Sequence, residues 1–192
     1  TLQDCLEAQL AKILKQTVRV HGSGRTDAGV HAHGQVFHFD AVWPHAPEAL
    51  FRALSGRLPS GFQLRSLTPV ALNFPARFSA HSKRYRYVLY QGSPPPMHTR
   101  FCWAVPYPLD QKAMEIAAGH LLGRHNFRAF SAHRGEGNCL EDFVRTLMRL
   151  DLRRQGRRCL IWTVQADGFL YKMVRRLVGA LVEVGRGKLA PE

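Results

Sequence analysis

Near the C-terminal end, two strand-type stretches, Thr146 to Arg153 and Cys159 to Gln165, flank a short turn over Arg154 to Arg158. A turn that short joins antiparallel neighbours, because parallel strands need a crossover of about a dozen residues or more. Directly after the hairpin, Phe169 to Val184 carries a helical pattern stopped by Gly185. Phe169, Met173 and Leu177 stripe one face, with Leu170, Val174 and Leu181 beside them, so most of this helix must be core. A hairpin followed by a helix that has to be buried favours an α+β layout over an all-parallel sheet.

The rest of the chain fits that class. Leu2, Leu6, Leu10, Ile13 and Leu14 fall at helical spacing, and Thr1 with Asp4 has the form of a capping box. Thr17 to His21, Gln35 to Asp40, Gln63 to Val70 and Arg84 to Tyr90 read as strands. Pro47 to Ser55 and Asp110 to Leu122 read as helices, the second with Gly123 as its stop. Gly92 to Pro96, with three consecutive prolines, is the linker candidate near the middle. The first helix starts at its own cap with no methionine before it, which reads as a sequence cut upstream.

Charge narrows the function. Against 27 Lys and Arg stand 14 Asp and Glu, a formal net charge of +13 in an otherwise ordinary globular composition. Such a balance points first to nucleic acid. Cys5, Cys102, Cys139 and Cys159 lie far apart with no Cys-x-x-Cys pair, the usage of reduced thiols in a cytosolic protein. No apolar run reaches the roughly 18 residues of a membrane span, and there is no signal-peptide layout.

Three clusters can carry chemistry. In Gly24-Arg25-Thr26-Asp27-Ala28-Gly29 small residues surround one carboxylate and leave it approachable. An Asx-turn in which Asp27 only caps its loop is the competing account. In Lys83-Arg84-Tyr85-Arg86-Tyr87 the tyrosines share one face of a strand and the arginines the other. That pattern suits base stacking with phosphate contact, or an ordinary sheet with a solvated basic face. In Gly168-Phe169-Leu170-Tyr171-Lys172-Met173-Val174-Arg175-Arg176, Arg175 and Arg176 point about 100° apart on a helix. One of them can therefore reach inward, and Asp27 is the acid left to pair with it. His21, His31, His33, His38 and His45 invite a metal, but no third ligand has a recognised spacing, and packed or surface histidines account for them.

In this order, GRTDAGVHA, RFSAHSKRYRY and GFLYKMVRRLVG resemble the TruA family of tRNA pseudouridine synthases. The likeness runs from TLQDCLEAQL through NFRAFSA and VRT to the closing EVGRGK. It implies isomerisation of uridine to pseudouridine in the anticodon stem-loop of tRNA, positions 38 to 40, with no cofactor and no metal, by a cytoplasmic homodimer. It also implies two similar halves, residues 1–92 and 93–192, forming a continuous sheet around a central basic cleft. By the same resemblance Asp27 is the catalytic aspartate, Tyr85 stacks on the target uracil and Arg175 pairs with the aspartate. Arg25 helps hold the flipped-out nucleotide, and Leu170 is the apolar residue near the base. Lys83, Arg84, Lys172 and Arg176 are the nearest candidates for the phosphate backbone.

The family's opening strand and closing strand have no counterpart here, and Ala53-Leu54-Ser55-Gly56-Arg57-Leu58-Pro59 stands where relatives carry an asparagine. A catalytically impaired RNA-binding fragment of the same family is the alternative reading. A zinc-dependent nuclease or deaminase would need the histidines to bind metal.

Overall fold

The computed structural model describes residues 1–132 and 142–192, so Cys139 lies outside the described residues. The chain divides into two compact units: residues 1–26 with 32–80, and residues 27–31 with 81–192.

In the first unit, helix α1 (Leu2–Leu14) has Thr1 as its N-cap and the full capping box with Asp4. Helix α2 (Pro47–Ser55) begins with proline in its first turn, where the missing N–H costs nothing. Leu6 and Leu10 of α1 and Leu54 of α2 bury with Val18 and Val20, while Leu2, expected on the same stripe, is exposed.

The two strands expected on either side of the Gly24 to Gly29 loop shrink to a short ladder, β1 (His21–Gly22) with β2 (Phe37–His38). The physical reason is visible at Val20. Val18 and Val20 do bury alternately, but the Val20 N–H donates to Glu7 at 2.9 Å and its carbonyl accepts from Gln3 at 3.0 Å. Side chains of α1 satisfy the backbone that a neighbouring strand would otherwise pair. Gln63 to Val70, expected as a strand, is irregular; Pro69 has no N–H to give a ladder, and Arg65 instead donates to the His33 carbonyl at 2.9 Å.

The second unit holds strands β3 (Lys83–Gln91), β4 (Trp103–Val105), β5 (Gly123–Asn126), β6 (Val144–Gln155) and β7 (Cys159–Ala166) in one mixed sheet of order β4-β3-β7-β6-β5. Only β3 and β4 run parallel. The Gly92 to Pro96 stretch begins the connection between them, and the Gly92 N–H donates to the Val105 carbonyl at 2.8 Å. β6 and β7 form the expected hairpin, turned at Gly156 with φ 66°.

Helices α3 (Gln111–His120) and α4 (Met173–Gly185) cover one face of this sheet. Leu160, Trp162, Val164 and Ala166 of β7 meet Met114 and Ala118 of α3 and Leu177, Val178, Leu181 and Val182 of α4. The fold is α+β as the pattern required. The start of α4 also moves: it begins at Met173, four residues later than expected, because Lys172 sits in the left-handed region at φ 59° and breaks the helical run.

Candidate active site

The carboxylate loop is built by a tight turn. The Val30 N–H donates to the Asp27 carbonyl at 3.2 Å, with Ala28 and Gly29 between them and Gly29 at φ 79°. That positive φ is what the third position of a type II turn demands, and glycine takes it without steric cost. The turn therefore rests on the Asp27 main chain, which leaves the side chain available. The carboxylate does not cap its own loop. Its Oδ2 accepts from Arg175 Nε at 3.1 Å, so of the two adjacent arginines Arg175 reaches the acid. The expectation of a buried arginine does not hold, because the pair stays partly open to solvent: the Arg175 side chain is 45% exposed and that of Asp27 32%.

Arg175 stands in the first turn of α4, where no acidic residue competes for it. The approach to that turn is fixed from below. Leu170 is 4% exposed and anchors the segment in the core, while the Ala132 N–H donates to the Tyr171 carbonyl at 2.9 Å. With Leu170 pointing inward, Tyr171 and Lys172 line an open depression together with Asp27, Ala28 and Arg175. Its volume of about 390 Å³ lies within the range of small-molecule sites. The Lys172 ammonium lies 5.2 Å from the centroid of the Tyr171 ring. The depression thus holds one carboxylate paired with Arg175 and a second cation in its lining, an arrangement that can present a nucleophilic or proton-accepting oxygen among groups that attract phosphate.

Tyr85 comes from β3. It is half-buried, and its ring meets Phe169 edge-to-face at 5.1 Å and 85°. Its hydroxyl is held protonated above the usual tyrosine range, first by burial and second by the negative charge of Asp27. Tyr87 lies on the same face but packs against the core and, edge-to-face at 6.3 Å, against Trp103.

The other candidates are distributed. Arg84 donates through Nε and a terminal nitrogen to the Gln165 side chain at 3.0 and 2.9 Å. Arg176 donates to the carbonyls of Ser131 and Ala129 at 2.7 and 3.3 Å, tying α4 to the NFRAFSA segment. Lys83 is half-buried at the start of β3, and Arg25 is exposed in the other unit. Tyr171 does not stand out in the sequence; its place beside Lys172 in the third motif is the available signal.

Of the candidate metal-ligand histidines, His21, His31 and His38 pack on other rings. His21 stacks on His38 at 5.1 Å, and His38 Nδ1 accepts from the Ala76 N–H at 3.2 Å. His31 meets Phe101 at 4.6 Å. Among the described residues no three His, Cys, Asp or Glu side chains group as metal ligands, and no helix is long and apolar enough to cross a membrane.

A family model described as tRNA pseudouridine synthase matches residues 1–79 and 117–192. The chain is 42% identical over 191 residues to a tRNA pseudouridine synthase A of Methylacidiphilum infernorum, covering 99% of this chain and 74% of that protein. It is 38% identical over 192 residues to that of Exiguobacterium sibiricum, covering 100% of this chain and 75% of the relative. For a Streptococcus pneumoniae protein of the same name the figures are 39% over 195 residues, 100% and 77%. With a family model over most of its length and relatives this similar across all of it, the chain belongs to the tRNA pseudouridine synthase family.

Proposed function

We propose that this chain isomerises uridine to pseudouridine in the anticodon stem-loop of tRNA, at positions 38 to 40, with Asp27 as the catalytic carboxylate. The reading rests on one observation: a carboxylate freed from its own loop is held by Arg175 in an open depression. Membership of the tRNA pseudouridine synthase family supplies the class of reaction.

The reaction breaks the bond from uracil N1 to C1′, turns the ring and joins C5 to C1′, with the C5 proton lost and N1 protonated. Nothing is oxidised or reduced overall. Asp27 serves either by adding to C6 of the ring or by assisting departure of the base from C1′. Both routes start from the ionised carboxylate, and Arg175 supplies its counter-charge and fixes its direction through one hydrogen bond.

The target base must leave its stack, at a cost of a few kcal/mol. Tyr85 offers a ring for it, worth about 1–3 kcal/mol by analogy with other base–aromatic contacts. Leu170 backs the site from the core, and Arg25 holds the displaced nucleotide. Lys172 in the depression takes a flanking phosphate, with Lys83, Arg84 and Arg176 further along the backbone. Arg84 and Arg176 would exchange their present partners to do so. A homodimer binding tRNA in a basic cleft in the cytoplasm completes the reading.

The test is to incubate the protein with unmodified tRNA and map pseudouridine by carbodiimide-dependent stops in primer extension. New stops confined to the anticodon stem-loop are expected. Tight binding of tRNA with no pseudouridine formed would instead identify an RNA-binding fragment.

A further inference from the structure

The face of the second unit's sheet that the helices leave open is arranged differently from the catalytic side. On β3, Tyr85 lies on the helix-covered face and Arg86 on the other. On β6 a bulge at Met148 shifts the register between Leu147 and Arg149. Without that extra residue Arg149, Asp151 and Arg153 would alternate onto the core face with Leu147; with it they point outward, and Leu150 takes the core position. β7 runs between these two strands, and its Ile161 and Thr163, shorter than the arginines on either side, make the floor.

The result is a trough of about 380 Å³ with Arg86 on one wall and Arg149 and Arg153 on the other. The walls are two strand spacings apart, roughly 10 Å. Arg149 is paired with Asp151. Arg86 and Arg153 are exposed, and among the described residues neither guanidinium has a hydrogen-bond or ion-pair partner. The β6–β7 turn continues the same charge with Arg157 and Arg158, both exposed, so the basic run does not end at the trough.

We propose that this trough is a second RNA-backbone site, distinct from the catalytic depression and on the opposite face of the sheet. Guanidinium groups match phosphate oxygens two at a time, and three arginines against one aspartate leave the walls positive. A floor of shorter side chains lets a sugar–phosphate strand lie between the walls. The choice of RNA as occupant rests on the proposed function. An isolated small anion would satisfy one wall and leave the length of the charged run unused.

The experiment compares the parent with Arg86→Gln/Arg153→Gln, a pair that leaves Arg149–Asp151 intact, and with Arg86→Lys/Arg153→Lys. Equilibrium binding to tRNA is measured across a salt series, and pseudouridine formation in single turnover at saturating tRNA. Two lost phosphate contacts lower the log–log salt slope by roughly 1.4–1.8. The glutamine pair should show that drop and weaker binding, with its rate constant at saturation unchanged and an unaltered melting temperature. The lysine pair should restore the slope.

Parent-like affinity and slope in the glutamine pair would overturn the trough as an RNA site. So would displacement of the arginine-dependent binding by millimolar phosphate alone, which would mark a small-anion site. Arginine-dependent binding by a parent that forms no pseudouridine would instead overturn the proposed function and leave the trough standing.

Discussion

Arg175 Nε donates to Asp27 Oδ2 at 3.1 Å, joining residues 148 positions apart in the sequence. Both side chains keep substantial contact with water, so the pair belongs to the class of ion pairs that contributes about 0–1 kcal/mol to stability. Its significance is directional: a single N–H engages Oδ2 and leaves the other carboxylate oxygen for another partner.

Arg175→Ala should therefore leave the melting temperature within a few degrees of the parent and lower single-turnover pseudouridine formation by about 10²-fold, the usual cost of removing one aimed donor. Arg175→Lys should recover part of the rate, since a point charge replaces the planar donor. Calorimetry and tritium release from labelled tRNA check the two halves. A large loss of stability with little loss of rate would reverse the assignment.

Tyr85 and Tyr87 share a face of β3 but not an environment. Tyr85→Ala should slow turnover by the equivalent of about 1–3 kcal/mol of stacking. Tyr87→Ala, which empties space against the core and Trp103, should destabilise by up to about 3 kcal/mol and affect the rate at saturating tRNA little. Chemical denaturation and single-turnover rates on both variants decide it, and equal effects would move the stacking role off Tyr85.

The raised pKa of Tyr85 has a consequence for alkaline stability. The folded state keeps this hydroxyl protonated above the ordinary tyrosine value of about 10, for reasons of burial and then of the Asp27 charge. Its contribution is whole below that value and is lost as pH rises through the folded pKa, because the unfolded chain releases the proton first. From about pH 10 upward the parent should lose more stability than Tyr85→Phe. Urea midpoints of the two proteins at pH 8 and pH 11 measure the difference, and parallel losses would contradict it.

A packing prediction comes from the contact between α3 and α4. A Cβ on Gly185 would lie 2.6 Å from the Met114 sulfur and 2.8 Å from its Cγ. Gly185→Ala should cost about 1–3 kcal/mol, more than the gain in helix propensity returns. In a Met114→Ala background the same change should stabilise by a few tenths to about 1 kcal/mol. Thermal melts of the four proteins form the cycle, and a stabilising Gly185→Ala in the parent would refute the close packing.

Much of this fold is legible where one signal dominates. The capping box of α1, the proline start of α2, the alternation of β3 and the β6–β7 hairpin all carry local patterns that tertiary packing did not override. Other parts depend on partners. Val18 and Val20 alternate like a strand, yet Gln3 and Glu7 take the backbone groups of Val20, and no residue in the 17–21 segment announces that. β4 and β5 are only three and four residues long, too short for alternation to register. Lys172 delays α4 by adopting a conformation that lysine rarely takes.

The site divides the same way. A need for a counter-ion to Asp27 could be read from the two arginines of the third motif. Which of them turns toward it depends on where α4 starts, and that is set by the Lys172 backbone. The outward turn of Arg149 and Arg153 depends on one bulged residue, which period-two reading of β6 cannot detect.

The central claim is that the Asp27 carboxylate does the chemistry, and Asp27→Asn tests it most directly, because the amide keeps the shape and removes the charge. Tritium release from tRNA labelled at uridine C5 should fall to background, while tRNA affinity at fixed salt stays within a few-fold of the parent. Turnover by Asp27→Asn at a rate comparable to the parent would contradict the account.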